Sequence, residues 1–474
     1  MEVVLVASEA YPFAKSGGLG DVVGALLKYL PRFGFRVKLF LPGYPSVLQG
    51  FSFVPQKSFG VPFGDISLKA EFLEYRESEA QTVLALKDAQ FFQRERMYGY
   101  PDDLERFIFF SRAVFEYLIR WQEEDFLIHC HDWQSALVCA YLDRYWPPYR
   151  PKVQKIVFTI HNLAYQGIGR GDLFRLVNLP GFLFTHEYLE FYGNLNLMKA
   201  GLLFSHVITT VSPTYAREIC SPEFGEGLDG LLRALSHRKK IVGITNGIDN
   251  ELFNPASDPL LREHYDSTNL EGKRKNKQLF LKEVFGLEEV DPSLPLLSFV
   301  ARLVEQKGIR LFLERPEAFF SLPAYWFFLG MGDEFYERNL RNLSGEYPRL
   351  RVENRFDEDL AHFAYAASDF LVLPSLFEPC GLSQMIAMRY GALPIVRGIG
   401  GLKDTVVDYP FNPRLSTGFQ FVDFSSVELI RAVKRALQVY FHEKELLRTM
   451  VENAMQSNFS WEQAIKRYVE VYTE

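Results

Sequence analysis

Short apolar runs alternate with amphipathic helical stretches along almost the whole chain of 474 residues. The runs are rich in valine, isoleucine and leucine without strict apolar–polar alternation, which is typical of strands buried on both faces of a sheet. Strands that alternate with helices predict βαβ units and parallel sheets. Ligands of such sheets bind outside the carboxyl ends of the strands, so polar residues that follow the runs are candidate site residues.

The chain is too long for a single core, and two domains are expected. A turn-rich segment, Asn246 to Pro255, predicts a first domain of residues 1–245 and a second of 246–455, followed by a C-terminal helical segment, 456–474. The predicted fold class is α/β, with two doubly wound Rossmann-like domains facing across a cleft. Strands are predicted at Glu2–Ala7, Arg36–Leu41, Thr82–Leu86, Phe126–Cys130, Lys155–Ile160, Ser205–Val211 and Lys240–Ile244, then at Leu296–Ala301, Tyr325–Leu329, Leu350–Val352, Asp369–Leu373 and Leu393–Val396.

Charge and cysteine usage exclude several classes of protein. The formal net charge is −7, which argues against a general nucleic-acid binder and requires local cations for any anionic ligand. The four cysteines are scattered without metal-ligand spacing, which indicates reduced thiols in a cytoplasmic protein. No apolar run reaches membrane-spanning length and no secretion signal is evident, so no membrane partner is expected.

A glycine loop follows the first predicted strand and precedes a predicted helix, Asp21–Leu30. The loop reads Lys15-Ser-Gly17-Gly18-Leu-Gly-Asp21. Glycines at a helix N-terminus let backbone N–H groups approach a phosphate, and the lysine adds a full charge. The dinucleotide fingerprint does not fit, because Val23 stands where its third glycine belongs and no carboxylate follows the next strand. The loop therefore predicts a phosphate site and argues against NAD.

Polar clusters follow other predicted strands. Asp132 and His161 each follow a strand of the first half, and Arg302 and Lys307 follow one of the second. Pro379 suits the first turn of a helix, which predicts free N–H groups at Cys380, Gly381 and Leu382 as a second anion site. With the two cations, this site suggests a nucleotide-diphosphate leaving group. The acidic triplet Asp357–Asp359 is interpreted as a helix cap, and no metal site is expected.

Taken together and in chain order, these motifs resemble bacterial glycogen synthase and plant starch synthase, of glycosyltransferase family 5. The matching motifs are KSGGLGD at 15–21, HDW at 131–133, HNLAYQG at 161–167, EFYG at 190–193, KAG at 199–201, SPTYARE at 212–218, NGID at 246–249, Arg302 with QKG at 306–308, FEPCGL at 377–382 and GGLKD at 400–404. The resemblance implies a GT-B fold whose last helix crosses back to the first domain. It also implies transfer of glucose from ADP-glucose to the non-reducing end of an α-1,4-glucan, with retention and without a metal or other cofactor.

The resemblance also implies roles for the matching residues. Lys15 is expected near the distal phosphate and the acceptor, His161 near the anomeric centre, and Glu378 at the glucose hydroxyls; Arg302 and Lys307 are expected on the phosphates, and Asp132 as an active-site acid. The expected donor-binding residues are Gly17, Gly18, Asp21, Asn162, Asn246, Phe356, Cys380, Gly381, Leu382 and Ser383. Phe356 stands where the family often has tyrosine for stacking on adenine. The first domain is expected to serve the acceptor and the second the nucleotide sugar.

Other functions stay open at the level of sequence. A related transferase would use UDP-glucose or another acceptor, and a phosphorylase would carry pyridoxal phosphate on a lysine. A glucan-binding protein without catalysis would not need the predicted diphosphate clamp. Glu378 is expected to act electrostatically, with a nucleophilic role as the alternative.

Overall fold

The computed structural model describes residues 1–409 and 413–474. They divide into two units. The first unit comprises Met1–Val211, Ala216–Ile244 and Trp461–Glu474, and the second comprises Ser212–Tyr215 and Thr245–Ser460. All four cysteines are free thiols.

The first unit is built on strands and helices that alternate along the chain. Its strands are β1 (Glu2–Val6), β2 (Arg36–Pro42), β3 (Val54–Phe63), β4 (Ile66–Ser78), β5 (Gln81–Lys87), β6 (Phe126–His131), β7 (Val153–Ile160), β8 (Ile168–Arg170), β9 (Glu190–Phe191), β10 (Asn194–Asn196), β11 (Val207–Thr210) and β12 (Ile241–Gly243). Its helices are α1 (Gly18–Tyr29), α2 (Pro45–Gly50), α3 (Asp103–Trp121), α4 (Ala136–Tyr145), α5 (Phe174–Val177), α6 (Met198–Phe204) and α8 (Asp229–Ser236), with α7 (Pro213–Glu218) divided between the units.

Nine strands of the first unit form one sheet, in the order β12-β11-β7-β6-β1-β2-β5-β4-β3. The strands from β12 to β5 are parallel, whereas β4 runs antiparallel to both of its neighbours. The order of six of them, β5-β2-β1-β6-β7-β11, is that of a doubly wound Rossmann sheet, whose switch point lies between β1 and β6. The chain between β7 and β11 forms a small antiparallel sheet with the strand order β8-β10-β9.

The second unit contains six strands and nine helices among its described residues. The strands are β13 (Leu296–Val300), β14 (Tyr325–Leu329), β15 (Leu350–Glu353), β16 (Phe370–Leu373), β17 (Leu393–Arg397) and β18 (Phe419–Phe421). The helices are α9 (Glu271–Glu283), α10 (Ile309–Glu314), α11 (Pro316–Phe320), α12 (Glu334–Glu346), α13 (Glu358–Ala367), α14 (Ser383–Arg389), α15 (Gly400–Thr405), α16 (Ser426–His442) and α17 (Lys444–Gln456).

The six strands of the second unit form one parallel sheet, in the order β15-β14-β13-β16-β17-β18. This is the Rossmann order again, with the switch point between β13 and β16. Every residue of β13, β14 and β16 is buried, as expected for strands covered by helices on both faces. The predicted α/β class with two doubly wound sheets is confirmed by both topologies.

The last helix, α18 (Trp461–Thr473), belongs to the first unit. Its buried residues recur at helical spacing: Trp461, Ala464, Ile465, Tyr468, Val471 and Tyr472. The Tyr472 hydroxyl lies 2.7 Å from Nδ1 of His129 on β6, and Lys155 Nζ donates to the Val471 carbonyl at 2.8 Å. Helix α18 lies within the predicted C-terminal segment 456–474, and α17 runs to Gln456 before it.

Three features of the fold differ from the sequence predictions. Residues 54–78 form the hairpin β3–β4, which was not predicted because its edge strand is mostly exposed and contains prolines and a glycine. Helix α1 begins at Gly18, three residues before the predicted start at Asp21. The helix predicted from Pro379 begins only at Ser383, which changes the geometry of the second anion site.

Candidate functional site

Most of the predicted site residues follow strands at or beside the two switch points, where the helices diverge to opposite faces of each sheet. They follow β1, β6 and β7 in the first sheet and β13 and β16 in the second, whereas Asn246 follows β12 and Phe356 follows β15. This is the place at which open α/β sheets bind their ligands.

In the first unit, the glycine loop is held by a carboxylate of its own chain. The buried side chain of Glu9 accepts the Ser16 N–H at 2.5 Å, the Ser16 hydroxyl at 2.7 Å and the Gly17 N–H at 3.2 Å. The Tyr98 hydroxyl donates to the same carboxylate at 2.7 Å. The Gly17 N–H, expected to contact a phosphate, is therefore already bonded to Glu9.

Gly18 has a different environment from Gly20 and Gly24 in the same helix. A Cβ at Gly18 would have no atom within 4 Å, whereas one at Gly24 would lie 2.4 Å from the Tyr11 carbonyl oxygen. Gly24 thus allows α1 to pack on the preceding segment, and Gly20 accepts the Tyr11 N–H at 2.9 Å. Open space at Gly18 leaves its backbone accessible to a ligand.

Lys15 and Asp21 form an ion pair, with Nζ 2.7 Å from Oδ1. The Lys15 side chain is 46% exposed, so its ammonium group remains available to an anion in solution. Asp21 lies in the first turn of α1, where a carboxylate complements the helix dipole. The pair places one mobile cation beside the open start of α1.

Three histidines form a buried row at the ends of β6 and β7. The rings of His129 and His131 lie 4.0 Å apart, and Nδ1 of His131 lies 3.0 Å from Nε2 of His161. Burial lowers the pKa of His161 to about 3 and that of His131 well below its usual value, so both rings are neutral at physiological pH.

One ring donates and the other accepts in the hydrogen bond between His131 Nδ1 and His161 Nε2. Nε2 of His131 is buried and has no partner in the described part of the chain, whichever ring donates. A buried nitrogen without a partner costs about 1–3 kcal/mol, which a ligand or water that bonds it would recover.

Asp132 is buried and lies next to this row. Its backbone has a φ of 55°, and its Oδ1 accepts the His161 N–H at 2.7 Å. Burial raises the pKa of Asp132 to about 8, although the backbone N–H groups of His161 and Asn162 act in the opposite direction. A carboxyl group with this pKa holds its proton near pH 7 and can donate a hydrogen bond to a ligand.

In the second unit, Lys307 and Glu378 form the central ion pair. Lys307 Nζ lies 2.5 Å from Glu378 Oε2, and the Ser375 hydroxyl donates to the same oxygen at 3.1 Å. The side chains are 17% and 9% exposed. A cation that is partly shielded from water interacts more strongly with an entering anion than a fully exposed one does.

Glycines set the backbone around this pair. Gly308 has a φ of 78°, and a Cβ there would lie 2.1 Å from the Pro374 carbonyl oxygen. A Cβ at Gly400, whose φ is 42°, would lie 1.9 Å from the Glu378 carbonyl oxygen. The Gly401 N–H donates to that carbonyl at 3.1 Å, so the Gly400–Gly401 pair supports the loop that carries Glu378.

The segment after Glu378 is an irregular loop. Cys380 and Gly381 precede α14, and Gly381 has a φ of 75°. The prediction that Pro379 opens the helix is wrong, because Gly381 turns the chain before the helix can start. Burial raises the pKa of the Cys380 thiol to about 12, which makes it a packing group and a poor nucleophile.

Two buried amide oxygens beside this loop lack hydrogen-bond partners within the described residues. They are Oδ1 of Asn246 and Oε1 of Gln384. The Asn246 backbone N–H bonds the Cys380 thiol, and Gln384 Nε2 donates to the Cys380 and Gly381 carbonyls at 3.1 and 3.0 Å. An unpaired buried acceptor favours a ligand that supplies a donor.

The remaining predicted residues of the second unit are spread around the sheet edge. Arg302 is exposed and has no ion pair among residues 1–409 and 413–474, while Phe356 is 84% exposed, in the loop before α13. Ser383 begins α14 and donates to the Val300 carbonyl at 3.4 Å, and Leu382 is its N-cap residue. The predicted cap is confirmed, because Asp357 accepts the Leu360 N–H at 2.9 Å.

Sequence reasoning missed three residues that support these groups. Glu9, Ser375 and Gln384 contact the predicted residues but were not proposed for the site. His131 was noted in the sequence as a strand-end residue beside Asp132, but its hydrogen bond to His161 was not predicted. The contacts of Glu9 and Ser375 depend on loop geometry that has no local pattern.

The described residues hold no group of three His, Cys, Asp or Glu side chains arranged to bind a metal ion. No helix within them is both long and apolar enough to cross a membrane.

Comparison with known proteins identifies relatives over the whole chain. The family described as "Starch synthase catalytic domain" matches residues 2–234, and that described as "Glycosyl transferases group 1" matches residues 294–438. A protein named glycogen synthase from Alkaliphilus metalliredigens is 42% identical and covers 100% of this chain and 99% of its own length. One of the same name from Bacillus cereus (strain ATCC 14579) is 39% identical over 100% and 99%.

Solved structures agree with these matches. The catalytic domain of starch synthase IV from Arabidopsis thaliana, bound to ADP and acarbose, has a TM-score of 0.89 and 34% identity, covering 99% of this chain and 98% of its own. A sucrose-phosphate synthase from Thermosynechococcus elongatus shares the fold, with a TM-score of 0.63 and 20% identity over 99% and 98%.

The two Rossmann-type sheets and the cation-bearing strand ends define a glycosyltransferase of the GT-B fold. Within that class, the proteins named glycogen synthase and the starch synthase IV catalytic domain are similar to this chain over nearly their full length. The chain belongs to the glycogen synthase and starch synthase family.

Proposed function

We propose that the protein transfers glucose from ADP-glucose to the non-reducing end of an α-1,4-glucan, with retention at the anomeric carbon and release of ADP. The observation that carries the proposal is the similarity, over 99% of the chain, to a starch synthase structure that holds both ADP and acarbose. The relatives named glycogen synthase support the same reaction and acceptor.

The second unit is proposed to bind the nucleotide sugar. Arg302 and Lys307 neutralise the two phosphates, and the exposed ring of Phe356 stacks on adenine. The unpaired Oδ1 of Asn246 accepts a sugar hydroxyl, and Glu378 accepts others. The backbone of Cys380, Gly381, Leu382 and Ser383 completes the contacts with sugar and phosphate.

The first unit is proposed to serve the acceptor and the reacting glucose. Lys15 approaches the distal phosphate, since its ammonium group is half exposed. Neutral His161 and protonated Asp132 bind glucose hydroxyls as hydrogen-bonding groups rather than as charges. Asn162, the open backbone at Gly18 and the Cα side of Gly17, where an added Cβ would meet no atom within 4 Å, contribute further contacts, and Asp21 orients Lys15.

In the proposed step, the bond between the anomeric carbon and the distal phosphate oxygen breaks, and its electron pair stays on ADP. The acceptor hydroxyl oxygen bonds to the anomeric carbon on the same face. Its proton passes to a phosphate oxygen of ADP. Arg302 and Lys307 favour this separation of charge, because fixed cations stabilise the departing diphosphate without reorganisation.

Glu378 acts electrostatically in this proposal. Its Oε2 is bound to Lys307 and Ser375, a geometry that suits a fixed charge. A covalent glucosyl–Glu378 adduct, trapped during turnover and found by mass spectrometry of the purified protein, would replace this role with a double displacement.

The test is transfer of labelled glucose from ADP-glucose to maltoheptaose. We expect chains longer by one or more glucose units, from which β-amylase releases the label first as maltose, because β-amylase removes maltose units from the non-reducing end of an α-1,4-glucan. Free labelled glucose without chain extension, or product that resists β-amylase, would overturn the proposal. For variants of Lys307 the matched control is Arg310→Ala, because Arg310 lies three residues from Lys307 but is 49% exposed and paired with the surface acids Glu305 and Glu314.

A further inference from the structure

The second unit contains a cavity of about 540 Å³ that the proposed reaction does not use. It is bounded by residues of α9, α16 and α17 and by Asp369, which directly precedes β16. Asp369 precedes the amino end of β16, whereas Glu378 follows its carboxyl end. The cavity therefore lies at the amino ends of the strands, opposite the proposed donor site at their carboxyl ends. Its volume is within the range of small-molecule binding sites.

Positive charge dominates the lining of this cavity. It contains five cations, Lys273, Arg274, Lys277, Lys444 and Arg448, and one carboxylate, Asp369. Lys277 pairs with Asp369 at 2.6 Å, whereas Arg274 and Arg448 pair with the neighbouring Glu271 and Glu452. Lys273 and Lys444 have no carboxylate partner in the described ranges, so the cavity keeps an excess of positive charge.

The two uncompensated cations lie at different depths. Lys273 is 8% exposed, and its Nζ donates to the carbonyls of Ala366, Ser368 and Tyr390 at 2.7–3.0 Å. Burial lowers the pKa of Lys273 to about 7; Asp369 acts in the opposite direction, and the neighbouring Lys277 lowers the pKa further. Lys444 is exposed at the rim, with Nζ 4.3 Å from the Tyr440 ring centroid.

We propose that this cavity binds a phosphate group, either as inorganic phosphate or as the phosphate of a small sugar ester. In a chain of net charge −7, a phosphate dianion is attracted only where cations are concentrated, as they are here. Lys444 and Arg448 contact the phosphate from the rim, and Lys273 attracts it from the floor. Thr268, Asn269 and Gln278 also line the cavity and offer partners for the hydroxyl groups of an ester.

The test is calorimetric titration of the full-length protein with inorganic phosphate and, separately, with a hexose phosphate, both in the presence of saturating ADP. ADP occupies the proposed donor site, so the remaining binding reports the cavity. We expect both probes to bind, and Lys444→Ala/Arg448→Ala to weaken their binding by about tenfold or more, since two charge-assisted contacts with the phosphate are lost. A hexose phosphate that binds more tightly than inorganic phosphate identifies the ester as the ligand, and equal affinities identify the phosphate alone.

The matched control is Arg431→Ala/Lys434→Ala, which removes the same charge from exposed positions of α16 outside the cavity. We expect its affinities to equal those of the unmodified protein. Equal affinities in the unmodified protein and in Lys444→Ala/Arg448→Ala would overturn the proposal. So would an equal loss in the control variant, or no binding at millimolar phosphate.

Discussion

Removal of the Lys307 charge separates the catalytic role of this residue from its structural role. Lys307→Ala leaves the Glu378 carboxylate, which is 9% exposed, with only the Ser375 hydroxyl at 3.1 Å. Loss of one partner from a buried pair costs about 3–5 kcal/mol, and the partial exposure of Lys307 reduces this to about 2 kcal/mol in the free energy of unfolding. Loss of a cation aimed at the leaving diphosphate costs about 3–4 kcal/mol at the transition state, or a factor of about 10²–10³ in kcat/KM.

A double variant distinguishes the two effects. In Lys307→Met/Glu378→Gln no charge remains at either position, so the free energy of unfolding should return to within about 1 kcal/mol of the unmodified protein. The kcat/KM for ADP-glucose should stay at least about 100-fold low, because the diphosphate still lacks its cation.

The assays are urea unfolding, steady-state ADP release and co-sedimentation with glycogen. Glycogen binding should be unchanged in both variants, and Arg310→Ala should match the unmodified protein in all three assays. The reasoning is refuted if folded Lys307→Ala keeps kcat/KM within tenfold, or if the double variant recovers activity together with stability.

Four further changes test individual residues. Gly308→Ala should lower the free energy of unfolding by at least about 2 kcal/mol, since its Cβ would lie 2.1 Å from a carbonyl oxygen at a φ of 78°. Gly18→Ala, with no atom within 4 Å, should leave unfolding unchanged and raise the KM for ADP-glucose; an unchanged KM would argue against a phosphate contact there. Between about pH 4 and 8, Asp132 holds a proton in the folded protein that it releases in the unfolded chain. The free energy of unfolding should therefore fall as pH rises, by up to about 1.4 kcal/mol per pH unit. Asp132→Asn should remove this slope in urea unfolding at several pH values, and an identical slope in the variant would contradict the raised pKa of Asp132. Phe356→Ala should raise the KM for ADP-glucose about tenfold with unchanged melting temperature, and an unaltered KM would exclude stacking.

The parallel sheets were predictable because their strands are buried on both faces. The runs that became β13, β14 and β16 are apolar except for Ser298, and such runs are typical of strands covered on both faces of a sheet. The β3–β4 hairpin was not predictable in the same way, since an exposed edge strand has no continuous apolar pattern. Local sequence therefore predicted the central strands but not the edge of the first sheet.

The candidate site was predictable in its residue types but not in its contacts. Strand-end positions indicated Lys307 and Glu378, which the structure joins directly. The bond from Glu9 to the glycine loop and the start of α14 at Ser383 depend on how loops fold back. In the second case Gly381 adopts a positive φ that outweighs the helix preference of Pro379.

The central claim concerns the donor, and it is tested most directly by comparing kcat/KM for ADP-glucose and UDP-glucose with glycogen as the acceptor. The account predicts efficient transfer from ADP-glucose, with kcat/KM for UDP-glucose lower by at least tenfold. Equal or faster transfer from UDP-glucose, or glycogen binding without transfer from either donor, would contradict it.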